Sequence, residues 1–182
     1  MTWFKPYADF VAKLRVPCGF VLVLTFAWLS HPAATSLALG LPISLAGLAL
    51  RAWAAGHLEK NQQLTISGPY RFVRNPLYLG TSMVAVGLVV ASQRWVLAAI
   101  FAAVFLLVYL PVIELEEQHL RDLFPEFRDY ASRVPALLPT WPQTPSPRPF
   151  RWSLYRHNRE YEAAFGLLAG TAFLLGKLLF FP

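Results

Sequence analysis

Cysteine occurs once in this 182-residue chain, at Cys18, so neither a disulfide framework nor a cysteine-rich metal site can form within it. Charge is scarce too: Asp, Glu, Lys and Arg make up 14% of residues, against about 25% in soluble domains. No GxGxxG loop occurs, which argues against a dinucleotide-type nucleotide fold. The net charge of +6 comes with no finger, no aromatic ribonucleoprotein motif and no long basic helix, so nucleic-acid binding is disfavoured. No internal repeat is visible. A signal-peptide cleavage site is missing as well, because Ser30-His31-Pro32 interrupts the first apolar run; that run reads as a retained anchor.

What the chain does have is apolar surface. Hydrophobic residues make up 56% of it, and the mean hydropathy is +0.44. Five apolar segments stand out, at about Val16–Leu29, Ala33–Leu50, Leu77–Ala91, Trp95–Ile113 and Ala163–Phe181. The fourth and fifth would reach roughly 28 Å as helices, close to the hydrocarbon thickness of a bilayer. The first lengthens through Phe10 and Val11 if Lys13 and Arg15 extend toward headgroups. These segments predict an all-α integral membrane bundle of about five transmembrane helices with a cytoplasmic cap. Cys18 is expected to pack as a small residue in the first span.

Fourteen of the sixteen Lys and Arg fall on one side of this arrangement, leaving only Arg94 and Lys177 for the other. Positive-inside bias assigns the crowded side, and the N-terminus, to the cytoplasm of an inner or plasma membrane, with the C-terminus outside. Basic loops beside spans favour anionic lipid headgroups as partners.

The chain divides into a membrane core at 1–139, a proline-rich strap with a basic interfacial segment at 140–162, and a fifth span at 163–182. Glu114–Ser132 reads as a helix continuing out of span four. Val134–Phe150 holds six prolines and is expected to be extended. Span five carries Gly166-Leu167-Leu168-Ala169-Gly170, a small-xxx-small pattern open to two readings: a dimer contact, or packing within the bundle.

The stretch from Ser67 to Gly80 is the most informative. Gly68-Pro69 and Asn75-Pro76 are turn signals, and each proline biases the residue before it away from helix. Arg71, Arg74, Tyr70 and Tyr78 lie in or beside these turns, between two apolar runs. Irregular polar backbone so near hydrocarbon is tolerated where protein or water satisfies it, as in a pocket. Glu114, Glu116 and Glu117 leave span four on the same side of the membrane as this stretch and are costly there without water, counter-charge or ligand.

Gly68-Pro69-Tyr70-Arg71-x-x-Arg74-Asn75-Pro76-Leu77-Tyr78-Leu79-Gly80 resembles the signature of the isoprenylcysteine carboxyl methyltransferase and phospholipid N-methyltransferase superfamily of integral-membrane enzymes. Glu116-Glu117-x-x-Leu120-x-x-x-Phe124, Tyr130, Arg133-Val134-Pro135 and Leu138-Pro139 match its second half, so the resemblance spans about Gly47–Pro139. It implies an S-adenosylmethionine-dependent methyltransferase acting on a lipid-like or amphiphilic acceptor. By that resemblance Gln62, Gln63, Leu64 and Thr65 line the cofactor. Tyr70, Arg74, Asn75, Pro76, Leu77 and Tyr78 surround its amino-acid and sulfonium end, with Glu116 and Glu117 contributing acidic groups. Tyr78 and Arg133 are the candidate catalytic residues, Arg133 to orient an anionic group. Val112 stands where the eukaryotic prenylcysteine enzymes place a substrate-facing arginine, which argues against a prenylcysteine carboxylate as acceptor.

The chemistry suits these residue types. Methyl transfer from a sulfonium is an in-line displacement that depends mainly on alignment. Faces such as those of Tyr70 and Tyr78 attract a sulfonium by about 0.5–2 kcal/mol. Two rival readings are a nicotinamide-dependent membrane reductase with a similar proline-tyrosine-glycine turn, and a non-catalytic membrane scaffold.

Overall fold

The structure is a computed structural model that describes residues 5–142 and 148–180. Its regular elements are all helical, with no strand among the described residues. The elements are α1 (Lys5–Leu29), α2 (Ala34–Ala55), α3 (Pro76–Ser92), α4 (Trp95–Val104), α5 (Leu110–Leu123), α6 (Phe127–Arg133), α7 (Trp152–His157) and α8 (Tyr161–Phe180). A 3₁₀ turn at Gly68–Arg71 precedes α3, and a π-helical turn at Phe105–Tyr109 joins α4 to α5.

Three helical runs are long and apolar enough to cross a bilayer: α2, the continuous run Trp95–Leu123, and α8. A fourth is α1, if its limbs Pro6–Leu14 and Val16–Leu29, bent by 49°, form one span. Pro17 lies beside that bend, where its ring excludes an i−4 hydrogen bond. The expected third span, α3, is apolar but only 17 residues long. It starts at Pro76 because the two preceding residues are bonded elsewhere: Arg74 N–H to Pro135 O and Asn75 N–H to Ala136 O. The protein is an integral membrane helical bundle in which, among the described residues, three or four helices rather than five have the length and apolarity to span.

The tightest seam lies between α2 and α3. Gly40, Ser44 and Gly47 face Gly87, Val84 and Gly80, both series spaced to stay on one side of a helix. A methyl group on Gly40 would strike the backbone carbonyl of Gly87, and one on Gly47 would meet that of Gly80. Ser44 Oγ donates to Val84 O at 3.0 Å and Ser36 Oγ to Ala91 O at 2.9 Å. Close backbone approach and short polar bonds are what hold helices together in lipid. Gly166 and Gly170 of α8, by contrast, face away from the bundle, with nothing within 4 Å of where a side chain would begin.

At the hairpin end, His31 N–H donates to Ser92 O at 2.9 Å. Lys177 of α8 donates to Ala27 O at 2.8 Å and Ser30 O at 2.7 Å, filling the carbonyls that α1 leaves open at its C-terminus. The exposed Trp28 and Trp95 belong to the same end. The other end carries the long connections and is where the site forms.

The helix expected over Glu114–Ser132 breaks at Phe124, which adopts an extended conformation before Pro125, and resumes as α6. Of the expected strap, the described residues 134–142 and 148–150 are non-helical; Pro145 and Pro147 lie outside the described residues.

Candidate functional site

Two segments some forty residues apart lock together at the loop-rich end. Arg74 is the bolt. Its Nε and Nη2 each donate to Glu117 at 2.9 Å, while Nη1 donates to Ala131 O and Val134 O. Asn75 Nδ2 adds bonds to Glu117 Oε1 at 3.0 Å and Ala136 O at 3.2 Å. Glu117 is buried, and such a charge is tolerable only when paired and fully hydrogen-bonded. Tyr130 completes the lock by donating to Tyr70 O at 2.7 Å. Burial pushes the phenol pKa of both tyrosines well above the usual value, Tyr130 adding to the shift at Tyr70, so both stay protonated.

Behind this lock lies a cavity of about 850 Å³, inside the roughly 300–1,000 Å³ range of small-molecule pockets. Its walls come from the loop after α2, the Tyr70–Tyr78 motif, α5 and the apolar face of α1 at Ala12, Val16 and Gly19. Tyr78 donates to Glu116 at 2.9 Å, so the two halves of the sequence motif meet at the cavity. The Tyr109 ring stands edge-on to Tyr78, centroids 6.1 Å apart.

The π-helical turn brings Tyr109 there. Pro111 has no N–H to give to Leu107 O four residues earlier, and Tyr7 of α1 donates to that carbonyl instead, at 2.7 Å. Such turns inside α-helices recur at functional sites.

Of the residues singled out in the sequence, Gln63, Leu64, Thr65, Tyr70, Arg74, Asn75, Pro76, Leu77, Tyr78, Glu116 and Glu117 all line this cavity. Gln62 does not; the turn after Asn61, at φ 59°, leaves it exposed. Arg133 does not either: it points off α6 into an exposed pair with Asp129, one turn back on the same helix. Arg74, Asn75 and Glu117 spend their hydrogen bonds on one another and on the carbonyls of Ala131, Val134 and Ala136, which makes them the frame of the cavity. Thr65 Oγ1 is buried with no partner among the described residues, as a polar atom would be if it awaited a ligand.

Sequence reasoning missed Arg51, Glu59, Tyr109 and His119, which also line the cavity. Arg51 looked like one more basic residue at a span's end. Instead its Nε and Nη2 bond both oxygens of Glu160 at 2.5 and 3.0 Å, while Nη1 reaches Thr81 and Leu77 O. His119 was discoverable: it follows Glu116 by three residues, so helical spacing puts it on the same face. Among the described residues no group of three or more His, Cys, Asp or Glu gathers as a metal site.

The fold and the cavity define a membrane-embedded helical protein with a chamber of mixed apolar and polar lining at one end of its bundle. The profile of the phospholipid methyltransferase family matches residues 34–126, from the start of α2 to the break before α6. The chain belongs to that family. Among curated proteins, the nickel-cobalt-cadmium resistance protein NccN of Alcaligenes xylosoxydans xylosoxydans is 35% identical over 158 residues, 84% of this chain and 68% of that protein. The cobalt-zinc-cadmium resistance protein CzcN of Cupriavidus metallidurans is 35% identical over 131 residues, 71% of this chain. This chain spans 54% of CzcN. No solved structure matches it.

Proposed function

We propose that this protein is an S-adenosylmethionine-dependent methyltransferase of an amphiphilic or lipid-like acceptor. The observation that carries the reading is the convergence of Tyr78, Tyr109 and Glu116 with the buried, unpartnered Thr65 Oγ1 around one chamber. These residues fit the cofactor. The two rings offer faces to a sulfonium, Glu116 offers an anionic acceptor, and Thr65 offers a hydroxyl. Bound there, S-adenosylmethionine would supply an electrophilic methyl carbon.

The chain's own work is then alignment and exclusion of water. Glu116 accepts the Tyr78 hydroxyl and so fixes the plane of that ring. The Arg74–Glu117 lock holds the start of α3, and with it Tyr78, against α5. Ala12, Val16 and Gly19 give the chamber an apolar wall on the side of α1 suited to a hydrocarbon chain. The excess of Lys and Arg at the loop-rich end supports a cytoplasmic placement of the chamber mouth.

In detergent, S-adenosylhomocysteine should bind at roughly micromolar level, and Glu116→Ala or Tyr78→Ala should weaken it about tenfold or more. Absence of binding heat from folded wild type would sink the reading. The resistance named for NccN and CzcN suggests where to seek the acceptor: membrane extract from cells challenged with cobalt, nickel, zinc or cadmium, incubated with radiolabelled methyl donor.

A further inference from the structure

The most irregular wall of the chamber, the loop that follows α2, is held from behind by chain beyond the 34–126 family match. A helix C-terminus leaves its last carbonyls without intrahelical partners. Here the segment Phe150–Glu160 takes them. The Asn158 side-chain amide donates to Ala55 O and to Leu58 O, each at 2.9 Å. The Arg151 backbone N–H donates to Gly56 O at 2.9 Å. The Phe150 ring fills the space a side chain at position 56 would need, and it meets the His57 ring edge-on.

Charge reinforces the grip. The Arg151 guanidinium pairs with Glu59, whose carboxylate also takes the Gln63 amide. Both Glu59 and Gln63 line the chamber. Buried Glu160 holds Arg51, another lining residue, through both carboxylate oxygens. Phe150, Arg151, Asn158 and Glu160 do not line the chamber themselves. Their effect on a ligand must pass through the wall.

We propose that Phe150–Glu160 is a brace that sets how tightly the chamber holds its ligand, with Asn158 and Glu160 as positioning residues acting through residues 56–65 and Arg51. The inference rests on the reading that the chamber takes S-adenosylmethionine. A loop held ready in its binding shape spares the ordering cost of association, and an unbraced one does not. Loops with few buried contacts open locally at low free energy. The brace supplies contacts that this loop would otherwise lack.

The test uses the full chain in detergent, with S-adenosylhomocysteine titrated calorimetrically and backbone amide exchange followed without ligand. Asn158→Ala and Glu160→Gln should each weaken binding by about tenfold. Exchange should accelerate across 56–65 and stay at the wild-type rate in α2 and α3. Glu162→Gln, in the exposed Arg159–Glu162 pair, should match wild type in both readings. Wild-type affinity and exchange in both brace variants would overturn the proposal. Exchange that quickens evenly through all helices would overturn it too, as general loosening. A wild type that binds no S-adenosylhomocysteine would instead overturn the reading of the chamber, while ligand-free exchange still decides whether the brace holds the wall.

Discussion

Glu116 and Glu117 are neighbours in sequence and opposites in structure. Glu117 is buried among Arg74, Asn75 and Arg121, and its oxygens are used up inside the protein. Glu116 is exposed at the chamber, where it receives the Tyr78 hydroxyl. A helix turns about 100° per residue, so two adjacent acids face different surroundings. One fastens the frame and the other meets whatever fills it. The site thus has a rigid side, saturated with internal bonds, and a receptive side, where Glu116 and Tyr78 face the chamber.

The largest effect should come from attacking the rigid side. Glu117→Ala leaves the Arg74 guanidinium buried without its counter-charge, and unfolding measurements should show a loss of about 3–5 kcal/mol. Gly87→Ala drives a methyl into Gly40 O and Ser44 across the α2–α3 seam, and should cost about 1–3 kcal/mol in the same measurement. Tyr78→Phe, on the receptive side, should change stability by no more than about 0.5 kcal/mol while still weakening S-adenosylhomocysteine. If it destabilised as Glu117→Ala does, the contrast between the two walls would collapse.

The smallest effect concerns pH. Burial, and then the nearby Arg151 cation, lower the pKa of the His57 imidazole, which lies at hydrogen-bond distance from Ser67 Oγ. The unfolded chain therefore takes up this proton more readily than the fold does. The stability associated with neutral His57 is complete above the ordinary value of 6.5 and is lost as pH falls below it toward the lower folded value. Thermal unfolding should show a shallower decline below pH 6.5 in His57→Gln than in wild type.

Much of the frame was legible because short-range chemistry writes itself into short motifs. The prolines at 69 and 76 and the paired acids at 116 and 117 have local reasons to exist, and the structure brings their segments together. Gln62 and Arg133 fell away because direction depends on a turn and a helix face that spacing alone does not fix. The α2–α3 seam was hidden for another reason. Gly40, Gly47, Gly80 and Gly87 lie far apart in the chain, so no local pattern marks them, while the compact Gly166–Gly170 pattern turned out to face outward. Arg51 was unreadable for the same cause, since its partner Glu160 is 109 residues away.

The π-helical turn at Phe105–Tyr109 also fixes rotational phase. Rewinding it as plain α-helix with every residue kept would turn everything downstream by about 100° relative to α4. Glu116 would then take the place of Glu117 before Arg74, and Glu117 would turn away from it. A single surplus residue inside an apolar span keeps the polar machinery beyond it in phase.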